Sequence, residues 1–186
     1  EQHGYDRLLG TVKPSIGHLG VYIGIQGTAA ELGLPKTNFW IYPGNDYDGA
    51  LDRFLADPHG PFPAVYISFP SAKDPDFERR HPGRSTVEIV APAPYEIFER
   101  WAGTTWGKRG DEYEALKQSY GERLLEHLYD KLPQLRGRID YWEVSTPLSM
   151  QLFCGYGRGE LYGLDHDPQR FRQDWLRPRT RVPGLW

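Results

Sequence analysis

Apolar residues alternate with polar or small ones at Leu19, Val21, Ile23 and Ile25, at Val65, Ile67 and Phe69, and at Val87, Ile89 and Ala91. A period of two gathers each set on one face of a strand. The spacing predicts strands over 18–26, 65–69 and 87–91, with two more over the aromatic run 38–42 and over 138–145. Between the second and third sets, 71–85 is dense in Pro, Asp, Gly and charge, which predicts a solvated loop. Pro94 then suits the first turn of a short helix with Tyr95, Phe98, Trp101 and Ala102 on one side. A hairpin of this size cannot bury itself, so its neighbours must supply the rest of a sheet.

The period changes to that of a helix over 111–132. Tyr113, Leu116, Tyr120, Leu124, Leu128 and Leu132 form a stripe, opposite Glu112, Lys117, Glu122, Arg123 and Glu126. Asp111 and Glu114 read as a capping box, and Pro133 sets the end. Shorter helices are expected after Thr28 and Glu31, after Asp46 or Asp48 (with Ala50, Leu51, Phe54 and Leu55), and from Asp167-Pro168 through Phe171 and Trp175. The first 14 residues read as irregular, and 148–153 is simply apolar. Strands and helices do not alternate as regular crossovers. The fold class expected is α+β, a mostly antiparallel sheet of about five strands with helices packed on one face.

Composition narrows the function. The 186 residues, 39% hydrophobic and 14% aromatic, suffice for one domain with a core, burying roughly 70% of the unfolded surface. A net charge of −3 gives no broad pull on phosphate, so nucleic acid is a poor partner. Cys154 is the one cysteine, which excludes an internal disulfide framework and a cysteine-rich zinc site. The start at Glu1 and the apolar, strand-like run Val182–Trp186 suggest that both ends are cut from a longer chain.

No catalytic constellation stands out. Gly155-Tyr156-Gly157-Arg158-Gly159 has Glu160 where a dinucleotide loop needs its third glycine, and reads as a turn. The six histidines show no metal spacing. His166, between two aspartates, fits a helix cap, and Cys154 is expected to be a small buried residue. The rings of Tyr22, Trp40, Tyr42, Tyr66, Tyr141 and Trp142 leave two readings open, the floor of an apolar pocket or ordinary core.

Phe69-Pro70-Ser71-Ala72-Lys73-Asp74-Pro75, followed by His81-Pro82-Gly83-Arg84-Ser85-Thr86, resembles the retinol saturase and carotenoid isomerase branch of the phytoene-desaturase-like flavoproteins. Tyr22-Ile23-Gly24-Ile25, Glu31-Leu32-Gly33-Leu34 and Asn38-Phe39-Trp40-Ile41-Tyr42 agree with the same branch. So do Pro94-Tyr95-Glu96, Ser145-Thr146-Pro147-Leu148, Gly159-Glu160-Leu161-Tyr162-Gly163-Leu164 and Arg177-Pro178-Arg179-Thr180. Each motif is weak alone; as an ordered set they are specific.

The resemblance implies an FAD-dependent enzyme that saturates, desaturates or isomerises a retinoid or carotenoid. It implies a substrate-binding domain over 1–176, with 177–186 beginning the return into a missing FAD-binding domain. FAD is expected in the full-length parent and not in this fragment, which lacks the dinucleotide fingerprint. The location expected is the cytoplasm, with peripheral contact to a membrane allowed. A polyene is recognised by burial, at about 25 cal/mol per Å². Small residues such as Gly20 and Gly24 would leave a slot for it. The wall proposed is Tyr22, Gly24, Gln26, Trp40, Tyr66 and Ser68. Thr146, Pro147, Gly159 and Tyr162 are expected near the cofactor, by resemblance alone. The alternative is a free-standing apolar-ligand-binding module without catalytic activity.

Overall fold

In the computed structural model, which describes residues 4–180 and 182–185, five strands form one sheet in the order β2-β3-β4-β1-β5. They are β1 (His18–Gln26), β2 (Phe39–Ile41), β3 (Val65–Ser68), β4 (Arg84–Pro92) and β5 (Ile139–Ser145). Every neighbouring pair is antiparallel. The helices are α1 (Tyr5–Leu9), α2 (Tyr47–Ala56), α3 (Pro70–Lys73), α4 (Phe77–Arg80), α5 (Asp111–Lys131) and α6 (Pro147–Cys154). The α+β expectation holds.

Alternation decides where the core lies. Leu19, Val21, Ile23 and Ile25 are at most 3% exposed, and their ladder partners Val87, Ile89 and Ala91 at most 1%. Each of the buried Leu, Ile and Val side chains contributes about 1.5–3 kcal/mol over its exposed state. Helix α5 covers this face with Tyr113, Tyr120, Leu124 and Leu128, as its stripe predicts. Gly121 lets it approach β5: a Cβ there would run into the Trp142 ring and the Val144 side chain.

Several local expectations change. The stretch 71–85 is not an open loop but carries α3 and α4. Pro70 starts α3, and buried Ser71 fastens it to β4, its Oγ accepting from Thr86 N at 2.9 Å. The helix expected after Pro94 is two 3-10 turns, Tyr95–Ile97 and Glu99–Trp101. Tyr95, Phe98 and Trp101 are three apart, the spacing that stacks side chains on a 3-10 turn, and all three are buried. Thr28 and Glu31 do exchange their hydrogen bonds, at 2.8 and 3.1 Å. The segment stays a chain of turns, however, with Gly33 at φ +63°.

Gly110, not Asp111, is the N-cap of α5, and Asp111, Glu112 and Glu114 instead place negative charge in its first turn. Asp46 is the cap of α2, its carboxylate accepting from Gly49 N at 3.0 Å. Phe171 and Trp175 lie on 3-10 turns, Arg170–Arg172 and Asp174–Leu176. Asp167 accepts from Arg170 N at 2.7 Å before the first of them. At the start, Tyr5–Leu9 is helical where irregular chain is expected. At the end, Leu185 N donates to Val182 O at 3.1 Å, closing a turn rather than a strand. Arg181 and Trp186 lie outside the described residues.

Candidate functional site

Residues of even number on β1 turn away from the core, and so do their ladder partners. Tyr22 stands between Glu88 and Glu143, Gly24 between Thr86 and Tyr141, and Tyr66 between Trp40 and Val90. Ser68 pairs with Glu88, and Gln26 ends β1 with the same parity. The register therefore brings all six proposed wall residues to one face of the sheet, together with Tyr141. Trp142, opposite Ile23, belongs to the core face instead.

The rings on this open face are not core. Trp40 is 62% and Tyr141 58% exposed. Trp40 packs on Tyr66 at 4.8 Å and stacks with Tyr42 at 6.4 Å, and Tyr42 meets Tyr47 edge-on at 4.9 Å. Tyr22 folds back on its own strand, so that a Cβ on Gly20 would lie 3.2 Å from the Tyr22 hydroxyl. The space expected over Gly20 is thus filled by Tyr22. At Gly24 it is open, beside Thr86, Glu88 and Tyr141.

Helix α6 and the turns after it border this face and shape two clefts of about 550 Å³ each, a volume typical of small-molecule sites. One runs past Trp40, Tyr66, Val90, Leu161 and Tyr162. The other lies between Tyr22, Trp106, Tyr113 and Phe153. Met150 and Cys154 line both, so α6 is the partition between them. Cys154 is exposed, contrary to the expectation of burial. Gln26 and Ser68 line neither cleft; Ser68 Oγ accepts instead from Lys73 Nζ at 2.9 Å.

The first cleft has a polar end that the sequence reading missed. His18 and Glu160 both line it at 7% and 9% exposure. Neither His18 Nδ1 nor Glu160 Oε2 has a hydrogen-bond partner among the described residues. Burial pushes the His18 imidazole below its ordinary pKa. His18 shares its parity with Tyr22 and Gly24, and that signal was available. Glu160 reaches the cleft because 160–165 runs antiparallel beside 13–17. Gly17 bridges Glu160, Leu161 N donates to Ile16 O at 2.9 Å, and Ser15 N donates to Gly163 O at 2.8 Å.

Three of the residues expected near a cofactor are buried in this joint. Thr146 is 0% exposed, and its hydroxyl pairs with Tyr113 OH at 2.8 Å while it caps α6 reciprocally with Ser149. Pro147 sits between two glycines. A Cβ on Gly17 would lie 2.9 Å from the proline ring, and one on Gly159 would meet the proline carbonyl. Tyr162 is 75% exposed and lines the Trp40 cleft at φ +62°. That conformation is uncommon for a residue with a side chain. Of the four, only Tyr162 presents an exposed ring.

No protein-family model matches the chain. Over 98% of its length it is 37% identical to "All-trans-retinol 13,14-reductase" of Homo sapiens, covering 31% of that protein. The enzyme of that name in Danio rerio is 34% identical over 90% of the chain and 29% of its own length. The resemblance to the retinol saturase branch is borne out. The chain spans about a third of the length of the retinol reductases it matches. An "Inactive all-trans-retinol 13,14-reductase" of Danio rerio, 31% identical over 96% of the chain and 30% of that protein, is related as well. Likeness to the retinol reductases therefore carries ancestry and not, by itself, activity.

Proposed function

We propose that this chain is the substrate-binding part of a flavin-dependent oxidoreductase acting on a retinoid. The observation that carries the reading is the division of the sheet. One face is packed by α5, while the other keeps Trp40, Tyr66 and Tyr162 at the wall of a cleft of about 550 Å³. Exposed aromatic surface beside a preformed apolar cleft is what recognition of a stiff conjugated chain requires. The names of the related retinol reductases supply the substrate class. A flavin supplies the redox chemistry when bound, in residues outside this chain. The chain's own part is to bury the ligand, hold its orientation and exclude water. Residues 1–176 would be the binding domain, and 177–186 the start of the return to the flavin domain.

Fluorescence tests the reading. All-trans-retinol added to the 186-residue chain should quench tryptophan emission saturably, and Trp40→Ala should weaken binding roughly tenfold, the loss of one stacked aromatic wall. Absence of saturable quenching would remove it. The alternative, a module that binds without catalysis, predicts the same quenching. It parts from the proposal on the parent gene, whose full product should purify yellow with bound flavin under the first reading and colourless under the second.

A further inference from the structure

The cleft beside Trp40 has an apolar length and one polar end. Trp40, Tyr66, Val90 and Leu161 line the length. At the end stand His18 and Glu160, more than nine-tenths buried, each with a polar atom that no described residue satisfies. Gly17, next to His18, is the bridge partner of Glu160, so backbone pairing makes the two residues neighbours in space. An unpaired buried donor or acceptor costs the full desolvation of that group, and native chains keep such groups where something else completes them.

Resting on the reading of this cleft as a site for a conjugated apolar chain, we infer that His18 and Glu160 bind that chain's terminal hydroxyl. They thereby select a neutral alcohol over the matching hydrocarbon and over the matching carboxylate. An alcohol has one proton to give and lone pairs to receive one. Its O–H donates to Glu160 Oε2, and its oxygen accepts from an N–H at His18 Nδ1. No covalent bond forms or breaks. A methyl terminus leaves both protein atoms as unpaired as they are without ligand. A carboxylate adds negative charge beside Glu160 in a cleft that Glu88 also lines, and a like charge there is disfavoured.

The test uses the 186-residue chain and three probes: all-trans-retinol, the hydrocarbon with CH3 in place of its CH2OH, and all-trans-retinoic acid. Tryptophan quenching should give the alcohol roughly 10- to 100-fold tighter binding than the hydrocarbon, with the acid weakest. Glu160→Gln should strengthen binding of the acid. His18→Phe combined with Glu160→Leu should bring the alcohol-to-hydrocarbon ratio close to one while the hydrocarbon still binds. Equal affinity of the unchanged chain for alcohol and hydrocarbon would overturn the anchor and leave the apolar cleft standing. Failure of all three probes to bind would overturn the cleft reading and the anchor with it. The decisive comparison needs no variant, so it does not depend on any substitution folding.

Discussion

Gly121 on α5 and Trp142 on β5 are packed so closely that the side chain the glycine lacks is the space the indole ring occupies. Alanine at 121 would gain about 1 kcal/mol of helix propensity. The collision with Trp142 and Val144 should cost about 1–3 kcal/mol of overpacking. The net loss of up to about 2 kcal/mol should lower the melting temperature by up to about 8 °C in Gly121→Ala. A variant that melts at or above the parent would show that the helix can shift outward freely.

A second glycine carries both a steric and a backbone demand. Gly159 has φ +66°, and a Cβ there meets the Pro147 backbone, whereas a Cβ on Gly157 meets only a Glu160 side-chain oxygen at 3.5 Å. Left-handed backbone alone costs a non-glycine residue about 1–2 kcal/mol. Gly159→Ala should lose about 3 kcal/mol in urea unfolding, the backbone term plus the clash. Gly157→Ala should stay within about 1 kcal/mol. Equal losses at the two positions would contradict the packing of Pro147.

The Tyr113–Thr146 pair joins α5 to the start of α6. Tyr113→Phe removes one buried hydrogen bond, worth about 1 kcal/mol. Thr146→Val removes that bond and the cap of α6 together, and should cost about 2 kcal/mol. The order of the two losses is the point to measure, by chemical unfolding; the reverse order would mean that the cap contributes nothing.

Acid should weaken the fold early. Burial is the largest cause lowering the pKa of both His18 and His127. Glu88 and Glu160 share the cleft with His18. At His127, Asp130 opposes the shift while Arg123 and Lys131 add to it. The folded chain therefore resists protons that the unfolded chain accepts, so stability is full above the ordinary histidine pKa of about 6.5. It falls as pH drops through and below that value. Urea midpoints at pH 7.5, 6.5 and 5.5 should decline in that order, and His127→Gln should flatten part of the slope. Midpoints that rise on acidification would reverse the sign and rule the cause out.

How much of this could be read from the chain varies with the range of the interaction. Two-residue alternation is local, so the core side of β1 and β4 was legible down to single residues. The ladder register, not the sequence, places Trp40 and Trp142 on opposite faces, although residue type treats them alike. The stripe of α5 was legible too, because a helix repeats within a few residues. Helix α6 was not: its apolar run suggests core, yet Leu152 and Phe153 are 52% and 68% exposed and only Pro147 and Leu148 are buried. The polar end of the cleft was hidden for a different reason. Glu160 registers in the sequence as a residue that spoils a glycine motif and as one member of a family-like run, and neither places it in a cleft. Its meaning comes from pairing with a segment near the other end of the chain.

That pairing of 13–17 with 160–165 gives occupancy a mechanical role. A molecule held by His18 and Glu160 at once is a bolt through two stretches that no turn connects directly. Each would need to part from the other for the chain's early and late segments to peel away from the sheet. Whatever fills the cleft stabilises the folded chain in proportion to the logarithm of its free concentration over its dissociation constant. The joint between Gly17 and Glu160 is where that protection should be felt first, as slowed exchange of the Leu161 amide.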